Sequence, residues 1–208
     1  MKPLIAEAYG WESAGAEQSH SYLLKPVLNA IQKYHINSLL DIGTGNGATL
    51  PIWLSQNIKV AAMEPDEEGY EFSKQHSRAD VRRLGVGDKI PDEWVNAFDA
   101  AVSLEVVEHL FNPHQLVDTI WQSLKSNGIV IISTPYHGYL KNLALAAVGK
   151  WDYHHHPTRV GGHIKFWSRK TLTELFVEKG FTELSFEGAG RLPFLWKSMI
   201  IIFRKNNE

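Results

Sequence analysis

The sequence has no cysteine, which excludes a disulfide frame and any thiolate metal site. It has no basic excess. A formal net charge of −2 over 208 residues is not that of a protein holding nucleic acid through its phosphates. It has no run near the ~20 apolar residues that a membrane-spanning helix needs. Met1 to Glu7 lacks a long apolar core and carries an early acid, so no signal peptide is expected, and a soluble, cytoplasmic protein is. There is no internal repeat and no low-complexity linker. At 44% hydrophobic, residues 1–208 therefore read as one globular domain with a core of its own.

What is present is organised around one stretch, Leu39-Leu40-Asp41-Ile42-Gly43-Thr44-Gly45-Asn46-Gly47. The apolar run Ser38 to Ile42 predicts a short buried strand, and Ala48 to Gln56 a helix. Three glycines at alternate positions lie between them. They let the backbone turn sharply and approach a ligand with no Cβ in the way. A helix start adds unpaired N–H groups and partial positive charge. Strand, glycine turn and helix together hold a nucleotide-like cofactor.

Elsewhere strands alternate with helices. Glu17 to Tyr34 is a predicted helix, kinked or broken at Pro26. The predicted strands are Lys59–Glu64, Val81–Val86, Phe98–Leu104, Gly128–Ser133, Phe181–Phe186 and Ser198–Phe203. Asn112 and Pro113 open the helix after the fourth strand, which ends at Asn127-Gly128, and Ser168 to Lys179 is the helix before the sixth strand. Residues 1–16, with Tyr9 and Trp11, read as a lid or tail. Residues 135–162 form an aromatic-rich insertion with a short apolar helix over Tyr139 to Val148. The expected fold is α/β: a doubly wound, mostly parallel seven-stranded sheet with a C-terminal antiparallel hairpin and a helical insertion after strand five.

Two cofactor chemistries fit the glycine turn. Gly43, Gly45 and Ala48 match the dinucleotide pattern G-x-G-x-x-G/A. Read with its acid, Asp41-x-Gly43-x-Gly45-x-Gly47 resembles the first motif of class I S-adenosylmethionine (SAM) methyltransferases. A carboxylate suits the ammonium of SAM and would repel a pyrophosphate. Leu104-Glu105-Val106-Val107-Glu108-His109-Leu110 resembles the segment after strand four in the ubiquinone-biosynthesis O-methyltransferases. Ser133-Thr134-Pro135 and Gly161-Gly162-His163 extend that resemblance, while residues 151–156 and 190–197 depart from it. The resemblance implies that Asp41, Gly43, Gly45, Gly47, Glu64, Asp88, Leu104 and Glu105 contact SAM. Glu64 would bind ribose hydroxyls and Asp88 the adenine amino group. It also implies a lid-like insertion that touches membrane, here residues 139–153.

Glu105, Glu108 and His109 are spaced i, i+3 and i+4, which places them on one face of a helical turn. Two carboxylates and an imidazole suit Mg²⁺ or Mn²⁺, with Zn²⁺ as the alternative. The stretch also resembles small-RNA 2′-O-methyltransferases, in which such a cluster with a further histidine holds a metal. That makes His163 the fourth ligand. In the absence of a metal, His109 or His163 is the candidate base. Of His154-His155-His156, one ring is expected to line the substrate pocket and the others to be solvated. The expected function is methyl transfer to a small or amphipathic acceptor, most readily at a hydroxyl, without nucleic acid. A nicotinamide-dependent oxidoreductase and a SAM-binding protein without catalysis are the other classes these features allow.

Overall fold

The computed structural model describes residues 19–76, 78–155, 157–158 and 161–207. The segment read as a lid or tail, and His156, lie outside them. In chain order the elements are α1 (His20–Lys33), β1 (Ser38–Ile42), α2 (Leu50–Leu54), β2 (Lys59–Met63), α3 (Glu67–Ser73), β3 (Asp80–Arg82), β4 (Phe98–Leu104), α4 (His114–Ser123), β5 (Leu124–Pro135), α5 (Tyr139–Ala147), α6 (Trp151–His155), α7 (Arg169–Val177), β6 (Phe181–Ala189) and β7 (Ser198–Lys205). The strands form one sheet in the order β3-β2-β1-β4-β5-β7-β6. The first five are parallel, and β7 runs antiparallel to both β5 and β6. This is the doubly wound sheet with a C-terminal hairpin that the pattern of strands and helices predicts.

Every residue of β1 is buried, because helices cover both faces of the sheet. Leu40 and Ile42 join the core built with Leu116, Ile120, Leu172 and Phe176 of α4 and α7. Leu39 joins the opposite core, with Leu23, Val27, Ile31 and Trp53. Strand order reverses between β1 and β4. At such a switch point the connections leave to opposite sides and open a crevice at the carboxyl ends of the strands.

Several boundaries differ from the sequence expectation. Pro26 lies inside α1 without ending it. A proline in a helix interior costs about 3 kcal/mol. Burying Leu23, Val27 and Ile31, none more than 3% exposed, returns roughly 1.5–3 kcal/mol each. The third strand is only three residues, because Leu84 N bonds back to Arg82 O (3.1 Å) and the chain turns away at Gly85. The fifth strand is longer than predicted, starting at Leu124. Pro113, rather than Asn112, stands at the N-cap of α4, while Asn112 Oδ1 accepts from His114 N at 3.2 Å. The insertion holds two helices rather than one, since Trp151–His155 also coils.

Candidate active site

The glycine loop sits at the mouth of the crevice. Gly43, Gly45 and Gly47 all have positive φ (73°, 59° and 76°), a region that costs other residues roughly 1–2 kcal/mol. Gly43 N and Thr44 N both donate to Met63 O (2.9 and 3.2 Å), locking the turn to the end of β2. A Cβ on Gly43 would lie 2.7 Å from Val106 Cγ2, so the loop rests directly on the turn that follows β4. Gly43→Ala is expected to lower the thermal midpoint by roughly 2–8 °C. An unchanged midpoint would mean that both backbone and Val106 give way freely.

The two acids at the strand ends are turned inward. Asp41 is 4% exposed. Its Oδ2 accepts from Trp53 Nε1 (2.8 Å), Thr49 Oγ1 (2.9 Å) and Thr44 Oγ1 (3.2 Å). Burial raises its pKa against those three donors. Glu64 Oε2 accepts from Gly45 N (2.7 Å), and Oε1 from Asp66 N (3.0 Å). Burial, opposed by the two amides, carries the Glu64 pKa from 4.5 to about 7. No lysine or arginine is among these partners in the described residues. A cofactor bearing an ammonium and hydroxyl groups therefore fits this corner, since it would supply the positive charge that two buried carboxylates lack.

The raised Glu64 pKa has a consequence for stability. The folded protein favours the neutral form, so this contribution is complete below pH ~4.5 and is lost as pH rises through ~7. The thermal midpoint of the cofactor-free protein is expected to fall across that window. Glu64→Gln should flatten the fall, and a midpoint that instead rises with pH in both proteins would refute the assignment.

Asp88 is exposed, and its Oδ2 accepts from Gly85 N (2.7 Å), closing the turn after β3. Leu104 ends β4 partly buried.

Glu105, Glu108 and His109 do not share a face. Glu105 has φ 57° and is not helical, and only Val107–His109 forms a single 3-10 turn. Glu105 Oε1 accepts from Ser133 Oγ (2.8 Å) and Oε2 from Ser198 Oγ (3.0 Å). Glu108 Oε2 accepts from Thr134 Oγ1 (2.9 Å). Ser133 and Thr134 are consecutive in β5, and consecutive strand side chains point to opposite sides. The two carboxylates are held by different hydroxyls, yet the Glu105 charge still bears on Glu108. The four-ligand cluster expected from spacing and resemblance is corrected to three: ligand atoms of Glu108, His109 and His163 lie within 4.8 Å of one another, and Glu105 is outside the group.

Glu108 is 1% exposed, and its Oε1 has no hydrogen-bond partner. Burial first, and the nearby Glu105 charge second, hold its pKa well above the usual carboxylate range. Glu108 O accepts from Ile164 N (2.9 Å) and Lys165 N (3.1 Å), which ties the end of the insertion to this turn. His109 Nδ1 lies 3.2 Å from Gly162 O. A carbonyl can only accept, so Nδ1 carries the proton and Nε2 is the basic nitrogen. The His163 ring stands edge-on to His109 at 4.9 Å.

The histidine run behaves differently from its expectation. His154 and His155 are both half-buried, and both contact the ring of His137, which lies just after β5. Neither is a solvated surface ring. His137 is a residue that sequence reasoning passed over, as are Trp53, Thr49, Ser198 and Lys141. The only signal for His137 was its proximity to an aromatic insertion. The roles of the others depend on long-range pairing.

Comparison with known proteins places the chain in a family. A family model described as a methyltransferase domain matches residues 14–185. A ubiquinone biosynthesis O-methyltransferase from Caulobacter vibrioides is 28% identical over 116 residues, covering 54% of this chain and 46% of that protein. One from Maricaulis maris is 32% identical over 123 residues, covering 53% and 45%. The matched region thus spans just under half the length of these relatives. Among solved structures, a SAM-dependent methyltransferase from Methanosarcina mazei superposes with a TM-score of 0.66 at 17% identity, over 86% of this chain and 98% of the other. That likeness concerns the fold.

Proposed function

The chain belongs to the methyltransferase-domain family, and on that premise we propose that it transfers the methyl group of SAM to a hydroxyl oxygen of a small or amphipathic acceptor. The observation that carries this reading is one junction: the glycine loop rests on Val106, in the same turn that presents Glu108 and His109. Cofactor loop and candidate base therefore meet at the switch point. Gly43, Gly45 and Gly47 give the cofactor backbone access, Asp41 faces its ammonium, Glu64 its ribose and Asp88 its adenine. Leu104 and Glu105, at the end of β4, would border the cofactor. When bound, SAM supplies an electrophilic methyl on a sulfonium. The protein's share is to align the acceptor oxygen and take up its proton at His109 Nε2 as the O–CH₃ bond forms and the S–CH₃ bond breaks.

The names of the matched relatives support oxygen as the acceptor atom. The insertion supports an apolar or amphipathic acceptor, because Tyr139, Leu140, Leu143 and Tyr153 are all at least half exposed. Among the described residues no helix is long and apolar enough to cross a membrane, so contact with a bilayer would be peripheral, through residues 139–153. Calorimetry with SAM against NAD tests the cofactor, and transfer from labelled SAM to a cell extract tests the reaction. Tight NAD binding without SAM binding would overturn the reading; SAM binding without transfer would favour a non-catalytic SAM binder. Deleting residues 139–153 is expected to spare SAM binding and abolish turnover. Loss of folding in that variant would make the segment part of the core and not a lid.

The orphaned Glu108 Oε1 favours a second reading of the same turn, a divalent cation held by Glu108, His109 and His163, in which His109 Nε2 is a ligand and the cation takes the place of the base. With Glu105 outside the group, the donor set is one carboxylate and two imidazoles. That is softer than Mg²⁺ prefers and suits Mn²⁺, Fe²⁺ or Zn²⁺.

A further inference from the structure

The insertion carries a second ligand cluster that methyl transfer leaves unused. His137 follows β5, and His154 and His155 end α6. One ring nitrogen from each lies within 4.8 Å of the other two. His137 is 8% exposed. Its Nε2 and the Nε2 of His155 are buried with no hydrogen-bond partner. Two orphaned imidazole nitrogens in one cluster are costly unless something accepts their lone pairs or protons. The rings are already held in place: His137 stacks on His155 at 5.4 Å, Phe166 packs edge-on against both (5.0 and 4.7 Å), and Trp151 covers His155 at 4.3 Å.

We propose that His137, His154 and His155 bind a transition-metal ion, Zn²⁺ first among them, which pins α6 to the segment leaving β5. Three imidazoles without a carboxylate select Zn²⁺, Ni²⁺ or Cu²⁺ over Mg²⁺ or Ca²⁺. Tetrahedral Zn–N bonds of about 2.0–2.1 Å place ligand atoms about 3.4 Å apart, so side-chain rotations of roughly an ångström close the site. A fourth position remains for water. Two charges act on the cluster. Lys141 of α5 opposes a cation, and Asp152 of α6 favours one. The ion would fix the one helix of the insertion that buries none of its residues and so has little packing of its own.

The test uses the full chain with no purification tag, dialysed against excess Zn²⁺ and then against buffer, with metal measured per chain. The parent is expected to retain an ion that His154→Ala/His155→Ala loses, while His163→Ala keeps it. Zn²⁺ should also raise the thermal midpoint of the parent and not of the double variant. If the double variant does not fold, His154→Asn and His155→Asn singly carry the same test. Equal zinc in parent and double variant, or none in the parent, overturns the proposal. SAM calorimetry on the same samples reports independently on the methyltransferase reading.

Discussion

Asp41→Ala is expected to lose both stability and cofactor binding, and Asp41→Asn only the second. The three donors on Asp41 Oδ2 come from Thr44, Thr49 and Trp53. In the alanine variant the two hydroxyls can rotate toward other acceptors. The Trp53 indole cannot, because it is a donor only and is fully buried. Leaving it unpaired, together with the volume removed, costs about 2–4 kcal/mol, or roughly 4–16 °C for a chain of this size. Asparagine keeps an acceptor oxygen in the place of Oδ2 but removes the charge. Loss of a charge-assisted contact with the SAM ammonium, about 1.5–3 kcal/mol, weakens binding roughly ten- to over a hundredfold. Differential scanning fluorimetry and SAM calorimetry separate the two effects. If Asp41→Asn binds SAM like the parent, the carboxylate only organises the glycine loop, and the ammonium is recognised elsewhere.

Asp41 also shows where sequence reading stops. Its position at a strand end is written in local pattern, as are β4, the glycine turn and the alternation that gives the sheet. The direction of its carboxylate is not. That depends on a tryptophan twelve residues on, brought under the loop by α2. Glu105 and Glu108 show the same limit more sharply. Their spacing suits one helical face, yet a positive φ at Glu105 takes it off the turn, and two consecutive hydroxyls of β5 hold the two carboxylates separately. Helical spacing applies only where the chain is helical, and this turn is a single 3-10 step. Pro26 is the reverse case: a local breaker overruled by the apolar residues on either side of it. His137 was invisible because its partners lie seventeen and eighteen residues later, across a helix and a turn. Local propensity is summed over neighbours in sequence, whereas a site is assembled from neighbours in space.

His109→Ala is expected to reduce turnover by roughly 10²–10⁴ while leaving SAM affinity near parental. The ring is oriented by Gly162 O at Nδ1, so Nε2 is the nitrogen presented for proton uptake. Gly162 is itself positioned because Ile164 and Lys165 bond to Glu108 O two residues later. The candidate base is therefore held by the end of the insertion. His109→Asn keeps a donor at that place but removes the basic lone pair, so it should be as slow as alanine. The metal reading gives a different pattern. If Glu108, His109 and His163 share a cation, then Glu108→Ala and His163→Ala should be slow as well. Prolonged chelation should abolish transfer without weakening SAM binding, and Mn²⁺ or Zn²⁺ should restore it. Activity that survives chelation, with His163→Ala near parental and His109→Ala slow, leaves His109 as a base acting alone. A His109→Ala variant as fast as the parent would remove this imidazole from the chemistry altogether. The proton would then have to leave by another route, with Glu108, whose orphaned Oε1 is buried beside it, the first group to test.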